Sequence, residues 1–154
     1  GGYILMSCLI HLKKGMLSYV KVKRKNKELV VLNSEVKPND MILSYGNKPT
    51  YTKVIDVFDS KIMTTRRRVI KLTNGTKLHC SDNHAIMTME DDLLVDVFPD
   101  ELTPDHKVVT TSGLSNVEFV TFDNYCGGKF VDIITYNSNY FISNNKQDFI
   151  LCYN

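Results

Sequence analysis

No apolar run in this chain approaches the ~18 residues of a membrane-crossing helix, so none is expected to span a bilayer that way. The opening GGYILMSCLI is apolar, but it lacks a basic leading region and a small-residue cleavage site, so it is not read as a signal peptide. Charge of one sign is also missing. The formal net charge is +2, which points to no particular class of partner. The four cysteines, Cys8, Cys80, Cys126 and Cys152, form no CxxC pair. None stands at zinc-like spacing from His11, His79, His84 or His106, so no metal and no cofactor are expected. Nothing marks secretion, so reduced thiols in a cytoplasmic protein are expected. Cys126 and Cys152 read as small packing residues. Internal repeats are absent, and so is any helix of useful length.

What the chain has is strands. Its 154 residues are 43% hydrophobic and 23% charged, which suits one domain with a real core. YVKVK alternates and ELVVL follows the polar RKNK, so residues 19–32 read as a hairpin. MILSY, TYTKVIDVF and AIMT read as further strands. RRRVIKLTNGTKLHC places Asn74-Gly75 between two alternating runs, the signature of a tight hairpin turn. DDLLVDVFPDELTPDHKVVTT reads as acidic, with one helical turn ahead of a strand. Gly113 to Asn116 read as a flexible connection. EFVTFDNY, KFVDIITY, NYFIS and FILCY close the chain as strands. About ten short strands result, and the fold class is all-β.

KVKRKNK and RRR are the basic stretches. Aromatic residues do not interleave with them as a stacking platform requires, so solvated turns are expected and nucleic acid is not.

Three groups carry chemistry. CSDNHAIMT puts Ser81, Asn83 and His84 on one sharp turn. The C-terminal segment holds Asp132 within a strand and Asn154 at the last position. SCL places the thiol of Cys8 near the other end. Each has a bland alternative: a histidine satisfied by a backbone carbonyl, an edge-strand carboxylate, an ordinary terminus.

Their order and spacing resemble an intein splicing domain, whose Hint fold is shared with Hedgehog autoprocessing domains. TNGTKLHCSDNHAIMT resembles the Thr-x-x-His turn that comes after a hairpin, with Ser81 at the threonine and His84 at the histidine. EVKPNDMILSY and ELTPDHKVV resemble the two Leu-x-x-Gly-Asp-x-Val segments, with Asn39-Asp40 and Asp105-His106 at the Gly-Asp pairs. FVDIITYNSNYFIS resembles Tyr-Asp-x-x-Val and then His-x-Phe, and FILCYN the closing strand with His-Asn. Asn139 and Tyr153 stand where that pattern has histidines. Cys8-Leu9 fits the Cys-Leu opening, although the run to the first hairpin is longer than usual. Ser18 is the rival first residue.

The resemblance implies a horseshoe-like all-β Hint fold over residues 8–154, with residues 1–7 a remaining upstream flank (extein or tag). The 110–118 connection is too short for a homing endonuclease. Cys8 would attack the Ser7 carbonyl to make a thioester, with His84 as proton donor to the leaving amide and Ser81 and Asn83 holding the oxyanion. Asp132 would hold the Cys8 thiol or relay a proton. Asn154 would cyclise to a succinimide and release the downstream flank, so the chain is expected to stop where the intein stops. A phenol or an amide is a poor acid or base near neutral pH, so His106 or Asp132 is expected to help that step, or the step is slow. Cys8, His84, Asp132 and Asn154 are expected in one cluster. The partners implied are flanking exteins of a host protein; no membrane partner is expected, and the domain reads as a monomer. Two alternatives stand beside this reading: a Hint domain that only cleaves, and an inert β module that binds a partner by a strand edge.

Overall fold

Strict alternation in short segments builds the molecule. The computed structural model describes residues 18–59, 63–128 and 131–153, and within these thirteen strands are present. They are β1 (Tyr19–Arg24), β2 (Lys27–Leu32), β3 (Met41–Tyr45), β4 (Pro49–Asp59), β5 (Met63–Leu72), β6 (Lys77–Ser81) and β7 (Ile86–Glu90). The remainder are β8 (Leu93–Val97), β9 (Lys107–Thr110), β10 (Gly113–Gly128), β11 (Val131–Thr135), β12 (Asn139–Ile142) and β13 (Ile150–Tyr153). The described helical structure is two three-residue 3-10 turns, Asn33–Glu35 and Pro99–Glu101. Among the described residues no helix is long and apolar enough to cross a membrane.

One sheet runs β11-β4-β3-β1-β2 and the other β12-β13-β7-β9-β10-β5-β6, with β8 on β7. The expected first hairpin is present: Lys25 and Asn26 take φ of 52° and 62°, the primed turn that matches strand twist. The Asn74-Gly75 hairpin also forms, but as a longer loop. Lys71 pairs with Lys77, Gly75 sits at φ 93°, and the Asn74 side-chain oxygen accepts from the Thr76 N–H.

Three expectations are corrected. RRR is not a solvated turn: Arg66, Arg67 and Arg68 lie within β5, where β6 pairs Arg67 and Arg68, and the Arg68 side chain is largely covered. The acidic segment after β7 contains β8, because Asp91 and Asp92 adopt φ of 49° and 64° and turn the chain back as a hairpin. Short carboxylate side chains tolerate that region better than most residues. Gly113 to Asn116 are not a loose connection. They open β10 and pair with Lys107–Thr110 of β9, and Gly113 at φ 105° makes the tight return. The same strand then continues past irregularities near Val117 and Phe122 to pair with β5.

Period-two alternation divides the interior. Ile42, Ile86, Val108, Tyr140 and Ile150 join one buried cluster. Their chain neighbours Leu43, Met87, Val109, Phe141 and Leu151 join a second with Phe149. β12 is buried at every position, so it lies between the two clusters. Paired backbone bonds between Tyr19 and Ser143, at 2.7 and 2.9 Å, tie the first sheet to the end of β12.

Candidate functional site

The turn between β6 and β7 carries Ser81, Asp82, Asn83 and His84. Within it the His84 N–H donates to the Ser81 carbonyl at 3.2 Å. Ser81 and His84 are fully buried. The Ser81 hydroxyl donates to the Asn83 side-chain oxygen at 2.7 Å, so these two are bound to each other, and Asn83 is otherwise exposed.

Neither ring nitrogen of His84 has a hydrogen-bond partner among the described residues. The bland alternative, a histidine satisfied by a carbonyl, is therefore not met among them. Burial pushes the imidazole down to about 3, so it is neutral at physiological pH. Asp132, in β11 opposite Phe58, is half-buried, and its Oδ1 is likewise buried without a partner among the described residues. Burial raises its carboxyl above the usual range. Unsatisfied buried groups are rare and call for a reason.

The C-terminal strand meets this turn. β13 pairs with β12 on one side, and on the other Cys152 faces Ile86 of β7. The Tyr153 N–H donates to the Ala85 carbonyl at 3.1 Å, one residue from His84. Asp132 lies close enough to this strand for its charge to act on Tyr140 and Cys152: burial raises both, Cys152 and Asp132 raise Tyr140 further, and Cys80 and Asp132 raise Cys152 against the hydrogen bonds from Tyr140 that lower it.

The entering chain meets it as well. Ser18 is fully buried; its carbonyl accepts from the Asn33 N–H and its Oγ accepts from Asn144 Nδ2 at 3.2 Å. Asn144 Oδ1 in turn accepts from the His79 N–H at 2.7 Å, two residues before Ser81. Entry, exit and turn therefore converge. Asn144 is inconspicuous in the sequence, where it is one of two adjacent asparagines before a loop.

Other expected residues stand elsewhere. Cys8 and Asn154 lie outside the described residues. Asn139 is a clamp: its side-chain oxygen accepts from Ser44 Oγ at 2.6 Å and the Tyr45 N–H at 2.9 Å, and its nitrogen donates to the Tyr45 carbonyl at 3.1 Å. His106, expected as a possible helper, accepts at Nδ1 from the Thr103 N–H. Since Val108 faces Thr88 in an antiparallel pair, His106 comes level with the Glu90 end of β7, the end away from His84. Cys80 and Cys152 are free, buried thiols whose ionisation burial opposes, which disfavours the thiolate form at both. Among the described residues no His, Cys, Asp and Glu group is placed to hold a metal ion.

No protein-family model and no curated protein matches the chain. Solved structures do. The transcription factor IIB Mvu mini-intein is 12% identical with a TM-score of 0.74, over 99% of this chain and 100% of that one. An intein from a hyperthermophile is 11% identical with a TM-score of 0.71, over 100% of each. The gp41-1 intein is 18% identical with a TM-score of 0.64, over 100% of this chain and 99% of that one. The chain thus has the curled, half-barrel Hint fold of inteins, mini-inteins among them, over essentially its full length.

Proposed function

We propose that the chain is a protein-splicing domain spanning residues 8–154, with residues 1–7 an upstream flank and its partners the flanking exteins. The observation that carries this is the delivery of the β13 end, by the Tyr153–Ala85 bond, to a turn whose buried His84 imidazole has no partner among the described residues. An unpartnered, neutral imidazole beside the end of the chain is costly for stability and useful for moving a proton.

In the first step the Cys8 sulfur attacks the Ser7 carbonyl carbon. The C–S bond forms and the Ser7–Cys8 C–N bond breaks. Burial holds His84 neutral and makes its protonated form a strong acid, so the ring takes the thiol proton only as the C–S bond forms and gives it at once to the leaving nitrogen. This refines the expectation of a simple acid. The Ser81 hydroxyl spends its hydrogen on Asn83 Oδ1 and so holds the Asn83 side chain, whose amide hydrogens are the donors left for the oxyanion. Asp132, protonated more readily than an ordinary carboxyl, holds or relays a proton near the C-terminal strand.

In the last step the Asn154 side-chain nitrogen attacks its own main-chain carbonyl. The nitrogen–carbon bond of a succinimide forms, the bond to the next residue breaks, and the proton lost by the attacking amide nitrogen is passed to the departing amine. Joining the flanks requires a Cys, Ser or Thr after Asn154 as thioester acceptor. The engaged Asn139 amide favours a second reading, in which the first junction is cleaved and the second lags.

The test is mass spectrometry over time of a precursor with a flank on each side and a downstream cysteine. Loss of the 8–154 mass with joined flanks is expected. A precursor of constant mass, with or without a thiol, overturns the reading and leaves the binding module.

A further inference from the structure

We propose that Arg68 is a positioning residue for the turn that carries Ser81 and His84. This rests on the splicing reading above. Arg68 lies in β5, opposite Cys80 of β6 on one side and Phe122 of β10 on the other. Its guanidinium lies 3.6 Å from the centroid of the Phe122 ring, and its Nε donates to Asp82 Oδ1 at 2.5 Å. The Arg68 side chain is largely covered and that of Asp82 half-exposed.

The position of that ion pair gives it its meaning. Asp82 stands between the two buried residues of the turn. Within the turn, the holding contacts are a long backbone bond and the Ser81–Asn83 hydrogen bond. The His84 ring has no partner among the described residues, so no bond from them to the ring sets its orientation. The ring inherits its direction from the turn, whose backbone is held at its ends by the pairing of Ser81 with Arg67 and by the Tyr153–Ala85 bond; between those ends Asp82 is the side chain that ties the turn to β5. The anchor is stiff for two reasons: a charge-assisted bond fixes the Asp82 carboxylate, and the planar guanidinium is braced on an aromatic face. A lysine at 68 would keep the charge and lose the planar stacking. A catalytic group displaced by about 1 Å can lose ~10²-fold in rate, so such an anchor acts through His84 without touching the junction.

The experiment uses the full chain with an upstream flank and Asn154→Ala, so that the first junction alone reports. Arg68→Met is expected to slow thiol-induced flank release by ~10-fold or more, with Arg68→Lys recovering part of the rate. In a His84→Ala background, Arg68→Met is expected to add no further loss, because it acts through that ring. An unchanged rate in Arg68→Met, or losses that multiply, would overturn the proposal. His84 ring signals are followed by NMR in parallel, and they are expected to shift in Arg68→Met while the fold persists. Unshifted His84 signals also overturn it. If the parent precursor releases no flank, the splicing reading fails and the NMR arm still decides the clamp. If Arg68→Met does not fold, Asp82→Asn carries the same expectations.

Discussion

The backbone N–H of Tyr153 donates to the carbonyl of Ala85 at 3.1 Å. This bond makes the last described residue of the chain a neighbour of His84, across 68 positions of sequence (153 minus 85). A main-chain contact does not depend on which side chain stands at 153, so the approach survives the exchange of a histidine for a tyrosine there. Under the proposed splicing chemistry, the proton transfers at the junction do depend on the side chain.

The first junction should depend on Cys8 and His84 and not on Ser18. Cys8→Ala is expected to abolish thiol-induced release of the upstream flank, and His84→Ala to slow it by ~10²-fold or more. Ser18 serves the fold: its Oγ is buried and accepts from Asn144. Ser18→Ala should keep the release rate within about the same decade and cost ~1 kcal/mol of stability. Release that survives Cys8→Ala and fails in Ser18→Ala would make Ser18 the first residue.

Acid should weaken the fold through His84. The imidazole titrates near 6.5 in the unfolded chain and about 3 in the folded one, so the unfolded state binds the proton more tightly. The stability that belongs to the neutral ring is fully present above ~6.5 and is lost as pH falls toward 3. Between about pH 7 and pH 5 that loss is ~2 kcal/mol. Denaturant titrations of the parent and His84→Gln at both pH values should show the difference. Asp132, whose raised pKa acts with the opposite sign, cancels in the comparison. Equal pH slopes would mean that His84 is solvated or partnered in solution.

The strands were legible where alternation was clean, as in Tyr19–Leu32 and the Asn74-Gly75 hairpin. β8 was not, because its LLVDV comes after two aspartates that look like a polar loop and are in fact the turn. Gly113 to Asn116 are small or polar apart from Leu114, yet β9 pairs them across a tight return that Gly113 makes. The Ser81–His84 turn was legible by its residue types and order. Its clamps were not. Arg68–Asp82, Asn144–Ser18 and Asn139–Ser44 join residues 14, 126 and 95 positions apart. No pattern in one sequence specifies such partners.

Asn139 should behave as a structural amide. Its oxygen accepts two bonds and its nitrogen donates one, all to Ser44 and Tyr45 of β3. Asn139→Ala leaves those buried groups unpaired and is expected to cost ~2–4 kcal/mol in a denaturant titration. Asn139→His matches the intein pattern but not this site, because a neutral imidazole offers one donor and one acceptor where three bonds are needed. It should lower stability without raising the rate of cleavage after Asn154. A faster rate would show that the imidazole leaves the clamp and reaches the junction.

Tyr153 is the position at which the intein pattern can be restored. The residue is 36% exposed, so an imidazole can replace the ring without opening an enclosed cavity. Its backbone bond to Ala85 is kept by any residue other than proline. A hydroxyl there can donate a hydrogen bond to the developing oxyanion, an effect worth ~3 kcal/mol when well placed. It cannot readily shuttle the proton that the departing amine requires. With Asn139 committed to β3 and His106 at the far end of β7, neither supplies a proton-transfer group at the end of β13. Asn154 cyclisation should therefore be the slow step, with branched or N-cleaved species accumulating ahead of it. The measurement is the C-terminal cleavage rate of a Cys8→Ala precursor carrying a downstream flank, with and without Tyr153→His. An increase of ~10-fold or more is expected, the lower range of a positioned acid or base. Equal rates, with no intermediate accumulating in the parent, would assign the proton transfer to His84 or Asp132 acting at both junctions.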